Sequence, residues 1–263
     1  MRSPLQSYAH TTFLTILFVS LAVTLVVPSC DLLDSDSDDP NSPVGGNTST
    51  GFSNVGDKTD VYLDLDNINP VFNGIKDSVI VVKNDNGNVT WFVRFTVDTN
   101  MTLALDTLLG TQSLPDQTKK QILDTYLKNY NVVLDTTDKN AITLTTTLKG
   151  RVTADGIQEF MTSASESKPF TIIRYNAAVG DKYEMTRASD GSKITRTVVH
   201  HSTDNDYPIG FWNIKVFKTE EVSNDPLVSK ITYITNHKFG LVGIELQMRD
   251  GTKREITVWP PNL

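Results

Sequence analysis

From Asp57 to Leu263 apolar and polar residues mostly alternate with a period of two, the signature of strands with one buried face. Val61, Leu63 and Leu65 alternate with polar neighbours. The apolar runs Val79–Lys83 and Val89–Val97 flank Asn84-Asp85-Asn86-Gly87-Asn88, a hairpin turn, because Asn and Gly tolerate positive φ. Ala141–Val152 is Thr-rich and alternating, which predicts another strand. After Pro169 every segment reads as antiparallel strand, separated by Val179-Gly180-Asp181, Ser189-Asp190-Gly191-Ser192, Ser223-Asn224-Asp225-Pro226, His237-Lys238-Phe239-Gly240 and Arg249-Asp250-Gly251.

Two stretches follow the helical period instead. In 114–130 Pro115 stands at a helix start, Asp116 in the first turn, and Ile122, Leu123, Tyr126, Leu127 and Tyr130 form one stripe. Asp155 with Gln158 three residues on has the form of a capping box, which predicts a short helix through Ser163 with Ile157, Phe160 and Met161 buried. Met101–Leu109 fits either a short helix or a strand. The expected fold class is therefore α+β. It is mostly antiparallel β: one large curved meander sheet, able to half-close into a barrel as twist accumulates, with one or two covering helices.

The first 56 residues have a different pattern. A short head with one charge, Arg2, precedes residues 11–29, an uncharged apolar run, and then Cys30, the only cysteine in the chain. A single cysteine excludes an intrachain disulfide framework and any cysteine-based zinc site. Basic head, apolar middle and small residues at the end are the layout of a secretory signal. Two readings compete: an uncleaved anchor, since an uncharged run of 19 mostly apolar residues can span a bilayer, and an ordinary secretory signal with an incidental cysteine. Residues 31–56 hold five Asp, no Lys or Arg, and much Ser, Asn, Gly and Pro, a composition that predicts a disordered tether. A flexible chain of that length spans about 25–30 Å. The domain organisation expected is 1–29 signal peptide, 30–56 lipidated Cys and acidic tether, and 57–263 a β-rich globular domain, with a sub-boundary near 165–170 where the pattern becomes uniformly alternating.

Val27-Pro28-Ser29-Cys30 resembles a lipobox, although Pro28 departs from its usual occupants. The resemblance implies cleavage between Ser29 and Cys30 and diacylglycerol or palmitate chains on Cys30. An acidic cluster just after a lipidated cysteine is similar to the surface-export signal of lipoproteins from the Bacteroidota. By that likeness the chain resembles the small lipoproteins of that phylum. The resemblance covers about the first 40 residues, with the β-rich body adding consistency. It implies an outer-membrane, cell-surface location, or otherwise the periplasmic face.

The chain carries 24 Lys+Arg against 31 Asp+Glu, and the acidity argues against a nucleic-acid partner. With five Asp in the tether, residues 57–263 hold 23 basic and 26 acidic side chains, close to neutral. No nucleophile motif, phosphate loop or cofactor signature occurs, so no catalytic residue, metal or cofactor is assigned and the chain is read as a non-enzyme. Adjacent His200 and His201 point to opposite faces of a strand and cannot share one metal without a bulge. Glu220-Glu221 and Asp204/Asp206 are the carboxylate pairs a hydrolase reading would need.

The segment from Asp204 to Trp212 mixes acids, an amide and rings, a composition suited to gripping a glycan or peptide. Asp204, Asp206, Tyr207 and Trp212 are the candidate ligand contacts. The expected function is a lipid-anchored binding module for a glycan or an envelope protein. The alternatives are a carrier holding a lipid or apolar group in its curved sheet, and a hydrolase.

Overall fold

The computed structural model describes residues 39–59, 61–64, 76–98, 131–163, 167–188, 190–225 and 227–259, together with positions 115, 117, 118, 121 and 124. The signal segment, Ser29, Cys30 and the ambiguous stretch 101–109 lie outside these residues.

Asn86 and Gly87 both take positive φ (50° and 89°), the requirement of a type I′ turn, and so fold the chain back between two long strands. These are β3 (Lys76–Asp85) and β4 (Asn88–Asp98). They belong to a seven-stranded antiparallel sheet with β1 (Lys58–Thr59), β5 (Val133–Asp135), β6 (Ala141–Thr153), β7 (Gly156–Glu159) and β8 (Phe170–Arg174). Its order is β1-β3-β4-β6-β7-β8, with β5 beside the start of β6.

The remaining long strands form a second seven-stranded antiparallel sheet. Its members are β2 (Val61–Asp64), β9 (Lys182–Thr186), β10 (Lys193–His201), β13 (Phe217–Val222), β14 (Val228–Asn236), β15 (Gly240–Met248) and β16 (Lys253–Val258). Its order is β2-β16-β15-β14-β13-β10-β9. A separate hairpin, β11 (Tyr207–Ile209) with β12 (Trp212–Ile214), interrupts the path from β10 to β13.

One core joins the two sheets. Val79, Val93, Leu144 and Ile172 of the first pack with Tyr183, Val198, Ile231 and Ile244 of the second. The architecture is therefore a β-sandwich rather than α+β. The single curved meander is two packed sheets whose facing sides are filled by their own side chains. The short helix expected over 155–163 is β7, reached from β6 by a two-residue turn at Ala154-Asp155, with Thr153 opposite Gly156. Asp155 in the capping-box reading is thus a turn residue, and all four positions of β7 are buried between β6 and β8. No continuous helix occurs among the described residues. Positions 117, 118, 121 and 124 of the predicted helix over 115–130 are helical, and most of that stretch lies outside the description.

The expected sub-boundary near 165–170 lies between β7 and β8, which pair with each other. Residues 39–56 of the expected tether are not free. Residues 39–57 form a strap packed on the sandwich: Val44 and Ser53 are buried, and Phe52 stacks on Trp91 of β4 at 6.4 Å between ring centroids. The Gly51 amide donates to the Lys238 carbonyl (3.1 Å), and the Val81 amide donates to that of Asp57 (2.8 Å). These long-range bonds satisfy a backbone that composition alone leaves to solvent.

Candidate functional site

The outer face of the second sheet is not left to solvent. In β14 the residues facing the first sheet alternate with Ile234, which points outward and is nonetheless buried. What covers it is the β11–β12 hairpin. Ile209, Ile214 and Val216 pack with Ile234 and Val242 into a second, smaller core, flanked by Tyr207, Phe239 and Trp259.

The hairpin turns at Gly210-Phe211, and Gly210 has φ +57°. A Cβ at Gly210 would lie 2.6 Å from Cη2 of Trp259, so the backbone can seat on that indole only because no side chain intervenes. The turn is held down through Gly210, and the two side chains that follow it reach solvent. Phe211 is fully exposed (103%) and Trp212 largely so (64%), the two most prominent rings on the described surface. Neighbouring exposed rings make a local apolar patch, the kind of surface from which interaction sites are built. From Tyr207 to Ile214 the hairpin carries no formal charge.

The base of the hairpin is fixed by hydrogen bonds. Buried Ser202 accepts the Val216 amide at 3.0 Å and donates to Asp206 Oδ1 at 2.6 Å. His200 Nε2 lies 3.2 Å from Ser202 Oγ and 3.6 Å from Asp206 Oδ2. The hydrogen bond from Ser202 holds the Asp206 carboxyl below the usual carboxylate range, with His200 contributing. Ser, His and Asp here do not form a nucleophilic triad. The carboxylate accepts from the serine hydroxyl, and the imidazole meets both partners through one nitrogen, whereas in a triad the carboxylate orients the imidazole through its other nitrogen. Tyr207 donates its hydroxyl to Glu255 Oε1 at 3.1 Å, and burial together with Glu255 raises the phenol above its usual value.

The four sequence-predicted contacts are therefore separated by role. Trp212 lies at the open tip. Tyr207 points down onto β16, Asp206 pins the base, and Asp204 is exposed beside it, with the Thr203 hydroxyl 3.3 Å away. Phe211 was not among the candidates. The signal for it was the glycine before it, which marks the turn and leaves the following residue at the tip. His201 stacks on Phe217 with centroids 4.0 Å apart, and β10 is bulged between Val198 and His200. Among the described residues no group of three His, Cys, Asp or Glu side chains is gathered to hold a metal ion.

The carboxylate pairs do not face each other across a cleft. Glu220 points outward to Lys230 Nζ (2.5 Å), while its neighbour Glu221 points into the core. There it meets Arg196, as does Glu159. The chain matches no known family model, no curated protein and no solved structure, so its own residues carry the functional reading.

Proposed function

We propose that the chain is a lipid-anchored lipoprotein of the outer membrane, displayed at the cell surface, which acts as a non-catalytic binding module for an envelope glycan through the Phe211–Trp212 tip. The observation that carries this reading is the exposure of two adjacent rings on a hairpin whose underside is clamped to the sheet. A flat ring stacks on the C–H face of a sugar, and a pre-positioned one loses little side-chain entropy on doing so. Asp204 and the Asn213 amide lie on the same hairpin and its base, and they supply the polar partners that sugar hydroxyls need. The side chains that fill the space between the sheets work against the carrier reading, in which that space would hold an apolar ligand.

The anchor half of the proposal rests on Cys30 and its lipobox-like surroundings. Cys30→Ala should either leave the precursor uncut or release the protein from the membrane fraction. Unaltered size and attachment would overturn it. Protease shaving of intact cells should remove the domain if it is displayed outside. The binding half is tested by a glycan array probed with the soluble chain, on which binding to one glycan class is expected.

A further inference from the structure

The strap over 39–47 is held in an unusual way. It forms no strand, and Val44 is its one buried side chain. Most of the bonds that hold it go to its main-chain atoms, with Ser42 Oγ accepting a further one from Arg174 Nη2 (2.8 Å). Gln158 Nε2 donates to the carbonyls of Ser42 (2.9 Å) and Asn41 (3.4 Å), while its Oε1 accepts the Val44 amide (2.9 Å). The Thr171 hydroxyl donates to the Pro40 carbonyl (2.9 Å). Arg174 Nε donates to the same carbonyl (2.9 Å), and its Nη2 donates to the Ser42 carbonyl. Arg151 Nε donates to the Val44 carbonyl (2.6 Å).

These four side chains come from β6, β7 and β8 and converge on a slot made by an irregularity. The β7–β8 ladder shifts register between Ile157 and Gln158. Such a bulge re-aims side chains and interrupts the ladder bonds. Beside it the Thr171 amide donates to Asn41 Oδ1 (3.0 Å), and Asn41 Nδ2 in turn donates to the Glu184 carbonyl (2.8 Å). Val44 enters over Gly156, where an added Cβ would lie 3.2 Å from Val44 Cγ1. Gln158 and Thr171 are themselves fully buried (0%), so polar groups specialised for peptide backbone lie beneath a segment that contributes little apolar area.

We infer that this slot is a peptide-binding groove, occupied in cis by residues 39–46, whose ligand class is a segment that enters through a turn like that of Asp39–Ser42, with Asn at the third position and an apolar residue three further on. The occupant named here is the chain's own Asp39–Gly46 sequence, which a second copy of that sequence can replace in trans. Main-chain recognition gives affinity with broad tolerance, while the Asn41 clamp and the Val44 seat give register. The inference is independent of the glycan reading, because it involves none of the hairpin residues.

The probe is a fluorescein-labelled peptide of sequence DPNSPVGG added to the full chain. In the wild-type protein the tethered strap competes at an effective concentration in the millimolar range. Asn41→Ala with Val44→Asp loosens the strap and leaves the groove intact, and should raise peptide affinity at least about tenfold. Adding Gln158→Ala should abolish that gain. A folded, loosened variant that binds the peptide no better than wild type overturns the inference.

Should the loosened variant not fold, amide exchange in the wild-type chain decides the matter. The Val44 and Thr171 amides should exchange at least about a hundredfold faster than that of Tyr233 in β14, through local opening of the strap. Exchange of all three together, by global unfolding only, makes the strap an integral part of the core and likewise overturns the groove.

Discussion

Arg196 Nε lies 2.8 Å from Glu221 Oε2, with both side chains buried between the two sheets (2% and 4% exposed). The same guanidinium reaches Glu159 of the opposite sheet at 3.1 Å and stacks over the Phe170 ring at 3.9 Å. Tyr233 adds a hydroxyl donated to Glu221 (3.1 Å). Burial alone would depress the guanidinium, but the neighbouring Tyr233 and the two carboxylates outweigh it and its pKa is raised. Two carboxylates share one cation in a place without solvent, so the network holds the sheets in one relative register only while it is complete.

Arg196→Met should therefore be severe. It leaves Glu159 and Glu221 buried without their cation, a loss of about 3–5 kcal/mol in chemical unfolding. Glu221→Gln leaves Arg196 paired with Glu159 and should cost less, about 1–2 kcal/mol. Equal unfolding midpoints for the two variants would contradict this ranking.

Two turn carboxylates should respond to pH with opposite sign. Asp225 is largely buried, and that burial raises its pKa above the ordinary 3.8 although the amides of Leu227 and Val228 favour its charge. Its contribution is present below pH 3.8 and is lost as pH rises through the raised folded value. Relative to Asp225→Asn, the wild type should lose stability as pH rises from 3.8 through the raised folded value. Asp190, whose carboxyl the Ser192 hydroxyl and amide hold low, contributes above 3.8 and loses that contribution as pH falls through its lowered folded value. Wild-type and Asp190→Asn unfolding curves should converge in acid. Curves that stay parallel across pH would refute either assignment.

Gly156 and Gly210 are required for different reasons. A Cβ at Gly156 would sit 2.3 Å from the Ile173 carbonyl, a backbone atom of the paired strand, so Gly156→Ala should cost at least about 1–3 kcal/mol globally. Gly210→Ala forces a side chain at φ +57° onto the Trp259 indole, a local cost of about 1–2 kcal/mol. Tryptophan fluorescence should report the second as a change at the hairpin before the main unfolding transition. A single unaltered transition would contradict it.

Much of the strand content was legible from period-two alternation. β10 shows it directly, with Ile194, Arg196 and Val198 inward, and so does the Asn86-Gly87 hairpin. What was not legible lies where one pattern fits two structures. Ile157, Phe160 and Met161 have helical spacing, and Asp155 with Gln158 has a capping-box form. Yet Asp155-Gly156 also marks a hairpin, and β7 is buried on every side, which erases the alternation that would have distinguished it. The strap over 39–57 looked too polar to order, because its partners (Gln158, Thr171 and Arg174) lie more than a hundred residues away and bind its backbone and its polar side chains, which composition alone leaves to solvent. The division into two sheets was hidden for the same reason, since pairing between distant strands leaves no local trace. For the site, Trp212 was visible as an aromatic in a polar loop, while Phe211 became distinct only once Gly210 was seen seated on Trp259.

Binding through the aromatic tip is the central claim, and one paired comparison tests it most directly. The soluble wild-type chain and a Phe211→Ser/Trp212→Ser variant are titrated with the glycan class that the array identifies, alongside an unfolding curve for each. Exposed side chains add little to stability, so the two unfolding free energies should agree within about 0.5 kcal/mol. Glycan affinity should fall at least about tenfold, the loss of one ring stack. Undiminished affinity in the variant, or no glycan bound by the wild type at all, would contradict the account.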